Sequence, residues 1–257
     1  ADSFRLPFIW FLRFMIPYNL FGFKVDLIKA YLSCCEKPIV WVYHPGYGHY
    51  LDQLPSRCVV LYDCVDDFST FPSTQDRLSW IMEGENKLLD RADCVTVTSP
   101  ALMESKSKLN PHVHYVHNVG DFKHFNRVQT EFFSENLPVL TKISGKKIGF
   151  YGAISDYKLD FELLVFLAKS RPDWQFCLMG KVGEGQLNTN ISELEQCVNI
   201  HFLDLIDYEK LPSYLREMDV LTIPYRITEH TRHVFPIKFF ECLATGKPLV
   251  CTSLDAN

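Results

Sequence analysis

Short apolar runs rich in β-branched residues recur along the chain, each closed by polar or turn-forming positions, and most are followed by a stretch with helical spacing. In the first half the runs are "PIVWVY" (38–43), "CVVLYD" (58–63), "CVTVTS" (94–99) and "HVHYVH" (112–117), all predicted as strands. Helices are predicted over 19–35, with Asn19 placed to cap it, from Thr74 to Ala92, and near 100–108. The segment 121–145 is polar and lacks a clear period. The alternation then restarts with strands "KIGFYG" (147–152), "WQFCLMG" (174–180), "NIHFLDL" (199–205), "DVLTIPY" (219–225) and "PLVC" (248–251). Helices over 159–170 and 208–218, and one within "FPIKFFECLATGKPLV" (235–250), complete this half.

Strands that alternate with helices form parallel sheets covered on both faces. The pattern therefore predicts an α/β chain of two Rossmann-like, doubly wound units facing a cleft: residues 1–125, a linker over 126–145, and residues 146–257. Ligands of such sheets bind beyond the carboxyl ends of the strands, and with two units the natural site is the cleft between them.

Composition narrows the function classes. With 47% hydrophobic and 22% charged residues the chain is an ordinary globular one, which argues against disorder. A net charge of -5 supplies no broad positive field, so nucleic acid is a poor partner and any anion site has to be local. The nine cysteines include one adjacent pair, Cys34-Cys35, and no Cys-x-x-Cys, which suits a reduced, cytosolic setting. The chain begins Ala1-Asp2-Ser3 with no signal-peptide pattern. The apolar stretch "FRLPFIWFLRFMIPYNLFGF" (4–23) is interrupted by Arg5, Pro7, Arg13 and Pro17 and is too broken to span a bilayer. It reads as a helix buried against neighbouring structure in preference to a patch on the inner membrane surface.

Candidate chemistry gathers at strand ends. "KIGFYG" runs into Gly152-Ala153-Ile154-Ser155 ahead of a helix that Asp156 or Asp160 can cap, a turn that lets backbone N–H groups meet an anion. Lys238 and Glu241 lie one helical turn apart on one face, close behind Pro236, in an otherwise apolar helix. A glutamate there can accept two hydrogen bonds from a sugar diol, and the lysine can offset phosphate charge; a surface ion pair is the plainer alternative. "PYRITEHTRHV" places Arg226, Arg232 and His233 just past a strand end, and "YDCVDDFSTF" places Asp63, Asp66 and Asp67 at another. Helix capping accounts for one acid there, not readily for three, and crowded carboxylates raise one another's pKa. No His/Cys set has zinc spacing and no Gly-x-Ser-x-Gly or Gly-x-Gly-x-x-Gly occurs, so neither a required metal, nor a serine hydrolase, nor a classical dinucleotide enzyme is predicted.

In order and spacing, "VVLYDCVDDFSTFP", "LLDRADCVTVTSPALMES", "NPHVHYVHNVGDFKHF", "KKIGFYGAISDYKLDFELLVFLAKSRPDWQFCLMG", "NIHFLDLIDYEKLPSYLREMDVLTIPYR" and "FPIKFFECLATGKPLV" resemble the retaining glycosyltransferases of the two-Rossmann-domain GT-B fold. The likeness is greatest to the family 4-like enzymes of bacterial cell-surface polysaccharide synthesis. It implies that Glu241 binds the ribose of a nucleotide-sugar donor and that Gly152-Ala153 faces its diphosphate. Asp66 and, after it, Asp67 are implied as residues of the sugar cleft, toward a glycan or lipid-linked acceptor, with no metal or other cofactor. The family pattern has a second glutamate where His233 stands and an arginine where Ala153 stands, which leaves Lys158, Arg226, Arg232 and Lys238 to share the diphosphate, Lys238 foremost. Asn118-Val119-Gly120-Asp121 replaces the usual hinge order. The resemblance also implies that both ends of the chain are cut, and it leaves two rivals on the same fold: a sugar-nucleotide epimerase and a non-catalytic sugar-nucleotide or glycan-binding module.

Overall fold

The computed structural model describes residues 32–134, 137–184, 186 and 188–254. The apolar stretch 4–23 and most of the helix expected over 19–35 lie outside the described residues.

Two parallel sheets carry the fold. The first holds β1 (Ile39–Val42), β2 (Val59–Cys64), β3 (Cys94–Val97) and β4 (Val113–Tyr115) in that order, so among the described residues it grows in one direction. Its strands alternate buried and exposed positions, with Val60, Tyr62, Cys64, Val95 and Val97 fully buried against Leu88, Leu89 and Leu102. Those leucines come from α1 (Leu78–Arg91) and α2 (Pro100–Lys106), and Ser99 caps α2 by accepting a hydrogen bond from the Leu102 N–H.

The second sheet has the order β7-β6-β5-β8-β9, built from β5 (Lys146–Tyr151), β6 (Trp174–Met179), β7 (Ile200–Phe202), β8 (Val220–Ile223) and β9 (Leu249–Cys251). Its strand order reverses between β5 and β8, and a doubly wound sheet opens a ligand crevice beyond the carboxyl ends of the strands at that point.

Between the sheets the polar segment is more ordered than its pattern suggests. It forms α3 (Phe122–Thr130) and α4 (Pro138–Thr141), and Phe125, Val128, Leu140 and Ile143 are buried in the core of the second sheet. Asp121 caps α3 through a hydrogen bond from the His124 N–H. The remaining helices are α5 (Phe161–Ser170), capped by Asp160, α6 (Ser192–Glu195), α7 (Leu211–Arg216), α8 (Glu229–Arg232) and α9 (Ile237–Ala244). Cys58, Cys64, Cys94, Cys177, Cys197 and Cys242 are free thiols, and no described helix is long and apolar enough to cross a membrane.

Candidate active site

At the end of β5 the backbone turns at Gly152 with φ +125°, a conformation that L side chains rarely adopt. A Cβ built there would sit 2.3 Å from Lys238 Cε and 2.8 Å from its Nζ, so the lysine stem lies directly over the turn. Glycine is needed twice over: for the dihedral and for the space. Ala153 follows, half-buried, and offers no charge of its own.

Lys238 stands on the first turn of α9, which opens without a side-chain cap and leaves helix N–H groups for another acceptor. Its ammonium is held against the Tyr151 ring, 5.8 Å from the centroid. Burial is the main cause that lowers its pKa, opposed by attraction to Glu241, Cys242 and Glu184. Lys158 approaches from the loop after β5, 5.1 Å above the Tyr225 ring, and its pKa is lowered first by burial and then by Lys238. Two mutually repelling ammonium groups with no ion pair among the described residues are an unfilled demand for an anion.

Glu241 sits one turn beyond Lys238. Among the described residues no ion pair within 4 Å joins them, which removes the plainer alternative for this pair. Its Oε2 instead accepts a 2.9 Å hydrogen bond from the Tyr151 hydroxyl. Burial raises the Glu241 pKa, while Tyr151, Lys238 and His124 pull it back. The hinge turn packs on the same residue: a Cβ on Gly120 would lie 2.9 Å from the Glu241 backbone nitrogen. Asn118 Nδ2 donates to Phe235 O at 3.0 Å and so ties the end of the first unit to the loop that leads into α9.

Across the cleft the three acids after β2 divide by partner. Asp63 accepts from Thr96 Oγ1 at 2.7 Å and Trp41 Nε1 at 3.3 Å, a pairing within the first sheet. Asp67 caps the turn Phe68–Thr70, with Oδ1 accepting from Ser69 N at 3.0 Å and Ser69 Oγ at 2.6 Å. Asp66 has neither kind of partner among the described residues. Burial lifts its pKa to about 6, with Lys158 opposing and Asp67 adding to the rise. A half-buried, uncommitted carboxyl that senses Lys158 on the facing unit has the character of a functional group.

That assignment carries a stability signature. Because the folded Asp66 binds its proton more tightly than an unfolded aspartate does, stability rises as pH falls from above 6 toward 4. Asp66→Asn is therefore expected to stabilise the chain by about 1 kcal/mol or more at pH 7.5, with the gain shrinking toward pH 5, as followed by urea unfolding. Equal stabilities at both pH values would remove the strained-carboxyl reading.

The remaining predicted residues separate. His233 is buried, with Nδ1 2.8 Å from Glu229 O and 4.0 Å from Asp67 Oδ2, so it joins the two units. Arg226 is half-buried and divided between Asp156 O at 3.4 Å and Glu162 at 3.5 Å. Arg232 faces solvent and pairs with Glu229 at 3.8 Å. The structure thus brings Asp66, Asp67, Gly152, Lys158, His233, Lys238 and Glu241 around one cleft and leaves Arg232 at its rim. Sequence reasoning missed Tyr151, which reads as an ordinary core aromatic at a strand end, and Tyr157, Thr70 and His230, which carry no local pattern. Among the described residues no group of three or more His, Cys, Asp or Glu is placed to hold a metal ion.

Two parallel-sheet α/β units that face each other across a cleft, with a glycine turn, two lysines and a glutamate at the switch point of the second, define the GT-B class of fold. Residues 145–257 match the family of glycosyl transferases group 1. Over 236 residues the chain is 33% identical to TuaH of Bacillus subtilis (strain 168), a protein provisionally assigned as a teichuronic acid biosynthesis glycosyltransferase, covering 86% of this chain and 57% of that protein. Among solved structures it resembles sucrose-phosphate synthase from Thermosynechococcus elongatus (TM-score 0.66, 20% identity, 93% of this chain and 63% of that one). It also resembles HepE from Anabaena, in complex with UDP and glucose (TM-score 0.66, 15% identity, 93% and 63%). The chain thus spans little more than half the length of the curated relative.

Proposed function

We propose that the cleft binds a nucleoside-diphosphate-sugar and that the protein transfers the sugar, with retention, to a glycan or lipid-linked acceptor in the synthesis of a bacterial cell-surface polysaccharide. The observation that carries this reading is the pairing, at one strand-order reversal, of two unneutralised lysines with a glutamate one helical turn along. A diphosphate satisfies the lysines and a ribose diol satisfies the glutamate. The family match and the provisional assignment of TuaH support the transferase class, and the UDP held by HepE supports a uridine donor as the first to test.

Charge development on the leaving diphosphate sets the chemistry. Lys238, Lys158 and the uncapped start of α9 supply positive potential in a partly water-free space, where fixed charges and dipoles are worth more than in water. The residues present need no metal to do this, and a metal-free reaction is part of the proposal. Asp66 stands on the acceptor side, and its raised pKa suits a group that receives or orients a hydroxyl near neutral pH. Asp67 fixes the loop that carries it, and a cytoplasmic setting follows from the donor class.

Two measurements test the reading. In a thermal-shift screen of UDP-, GDP- and ADP-sugars, one donor at 100 times its Kd is expected to raise apparent stability by ~2.7 kcal/mol. With that donor, free nucleoside diphosphate is expected to appear only when an acceptor is present. Binding without acceptor-dependent release overturns the transferase reading in favour of a binding module, and product epimerised in the absence of acceptor overturns it in favour of an epimerase.

A further inference from the structure

Three buried side-chain atoms have no hydrogen-bond partner among the described residues: Asp156 Oδ1, Gln186 Oε1 and His230 Nε2. They lie on the connections that follow β5, β6 and β8, His230 within α8, at the carboxyl edge of the second sheet, where a ligand of such a sheet binds. His230 is the most informative, because its neighbours determine which of its nitrogens carries the proton.

His230 Nδ1 is 2.8 Å from Thr70 Oγ1, a contact that spans the cleft. The Thr70 hydroxyl has one hydrogen and already donates it to Asp67 O at 2.7 Å, since a carbonyl oxygen can only accept. Thr70 Oγ1 must therefore accept from His230, which places the imidazole hydrogen on Nδ1. Burial, then Lys158, push the His230 pKa down to about 4, so the ring is neutral near pH 7 and Nε2 is a bare acceptor. The ring is 7% exposed and is flanked edge-on by Phe71 at 4.7 Å and Tyr157 at 5.3 Å. A buried acceptor left unpaired is costly, and it calls for a donor that arrives with a ligand.

Its position says which part of the ligand. His230 bonds Thr70 of the loop that holds Asp67 on one side and packs on Tyr157, the neighbour of Lys158, on the other, so it stands between the lysine of the diphosphate side and the acidic loop of the acceptor side. A sugar attached to the diphosphate occupies that interval. We propose that His230 Nε2 accepts a hydrogen bond from a hydroxyl of the donor sugar, and that Thr70, from the opposite unit, sets the tautomer that allows it. This rests on the nucleotide-sugar reading above and adds to it a residue that reads the sugar and not the nucleotide. It also makes sugar recognition depend on the two units being in contact, because the residue that fixes the tautomer belongs to the other unit.

Titration calorimetry on the chain with matched pairs, UDP against UDP-glucose and GDP against GDP-mannose, tests this. In His230→Phe, which keeps the ring volume and removes the acceptor, affinity for the free nucleotide is expected to stay within about twofold. Affinity for its sugar conjugate is expected to fall at least tenfold. Thr70→Val, which unlocks the tautomer without touching the imidazole, is expected to give a smaller loss confined to the sugar conjugate, and it serves as the test if the His230 variant does not fold. Equal losses for nucleotide and conjugate, or no loss for either, overturn the assignment. If the unaltered chain binds neither member of either pair, the donor-site reading fails and this assignment falls with it.

Discussion

Lys106→Met is expected to destabilise the chain by about 3 to 5 kcal/mol. Lys106 Nζ lies 2.8 Å from Glu85 Oε2, and the two side chains are only 8% and 12% exposed. Glu85 Oε1 accepts from the fully buried Tyr62 hydroxyl at 2.9 Å. Burial works against the ammonium, yet Glu85, Cys64 and Asp67 together hold its pKa above that of free lysine. Removing the cation strands a carboxylate beneath the end of β2 with two neutral donors, the Tyr62 hydroxyl and the Cys64 thiol, for company. Glu85→Leu combined with Lys106→Met removes both charges, and the double variant is expected to recover most of the loss, because an apolar pair of similar volume replaces a buried ion pair at little or no net cost. Urea unfolding of the two single variants and the double closes the cycle. A single-variant cost below 1 kcal/mol, or additive losses, would show that the pair is solvated and not buried.

This pair lies directly behind the functional acids. β2 carries Tyr62 and Cys64 inward to Glu85 and ends two residues before Asp66, while Asp67 lies close enough to act on Lys106. The strand end that presents Asp66 to the cleft is thus anchored from below by a network whose members are separated by 23 and 21 residues in sequence.

The legible parts of the sequence are those in which one residue type repeats. The run "VVLYD", buried at every second position, and the run "FCLM", buried at every position, each became a strand. The helix Phe122–Thr130 was harder to see because only His124, Phe125 and Val128 of "FKHFNRVQT" are buried. Three positions do not establish a period. Glu229–Arg232 has four residues, too few for any period, and is held by Thr228 and Thr231 capping each other.

The site divides in the same way. Lys238 and Glu241 stood out because charges in an apolar helix need a partner or a task. Gly152 stood out because a strand end in glycine suits a turn. The interactions that sharpen the site join residues far apart in sequence: the hydrogen bonds of Tyr151 with Glu241 and Thr70 with His230, and the longer-range attraction of Lys158 for Asp66. No local pattern encodes such pairs, because the fold alone makes them neighbours. Asp63 shows the converse. Its place among three clustered acids suggested cleft chemistry, but Thr96 and Trp41 of the adjacent strands occupy both of its oxygens.

Glu241→Gln is expected to weaken UDP binding by about 30- to 100-fold while the unfolding midpoint moves little. The substitution keeps the shape of the side chain, and the amide oxygen still accepts from Tyr151. It removes the charge that strengthens both ribose hydrogen bonds, each worth roughly 1.5 to 3 kcal/mol when one partner is ionised, against 1.4 kcal/mol per factor of ten. The pH dependence separates this role from packing. Burial raises the Glu241 pKa, so as pH falls the carboxyl takes up a proton earlier than an exposed glutamate would and loses one acceptor oxygen. The groups that act on it are Tyr151 from β5, Lys238 and Cys242 from α9, His124 and Asp121 from α3 and its cap, and Tyr208 and Tyr225 from the neighbouring loops. UDP affinity of the unaltered chain is thus expected to drop as pH is lowered toward 5, above the range where free carboxylates protonate, and the glutamine variant is expected to follow a flatter curve. Calorimetric titration of both proteins from pH 8 to pH 5 makes the comparison. Unchanged affinity in the variant, or parallel pH curves, would place the ribose elsewhere and leave Glu241 as a partner of Tyr151 alone.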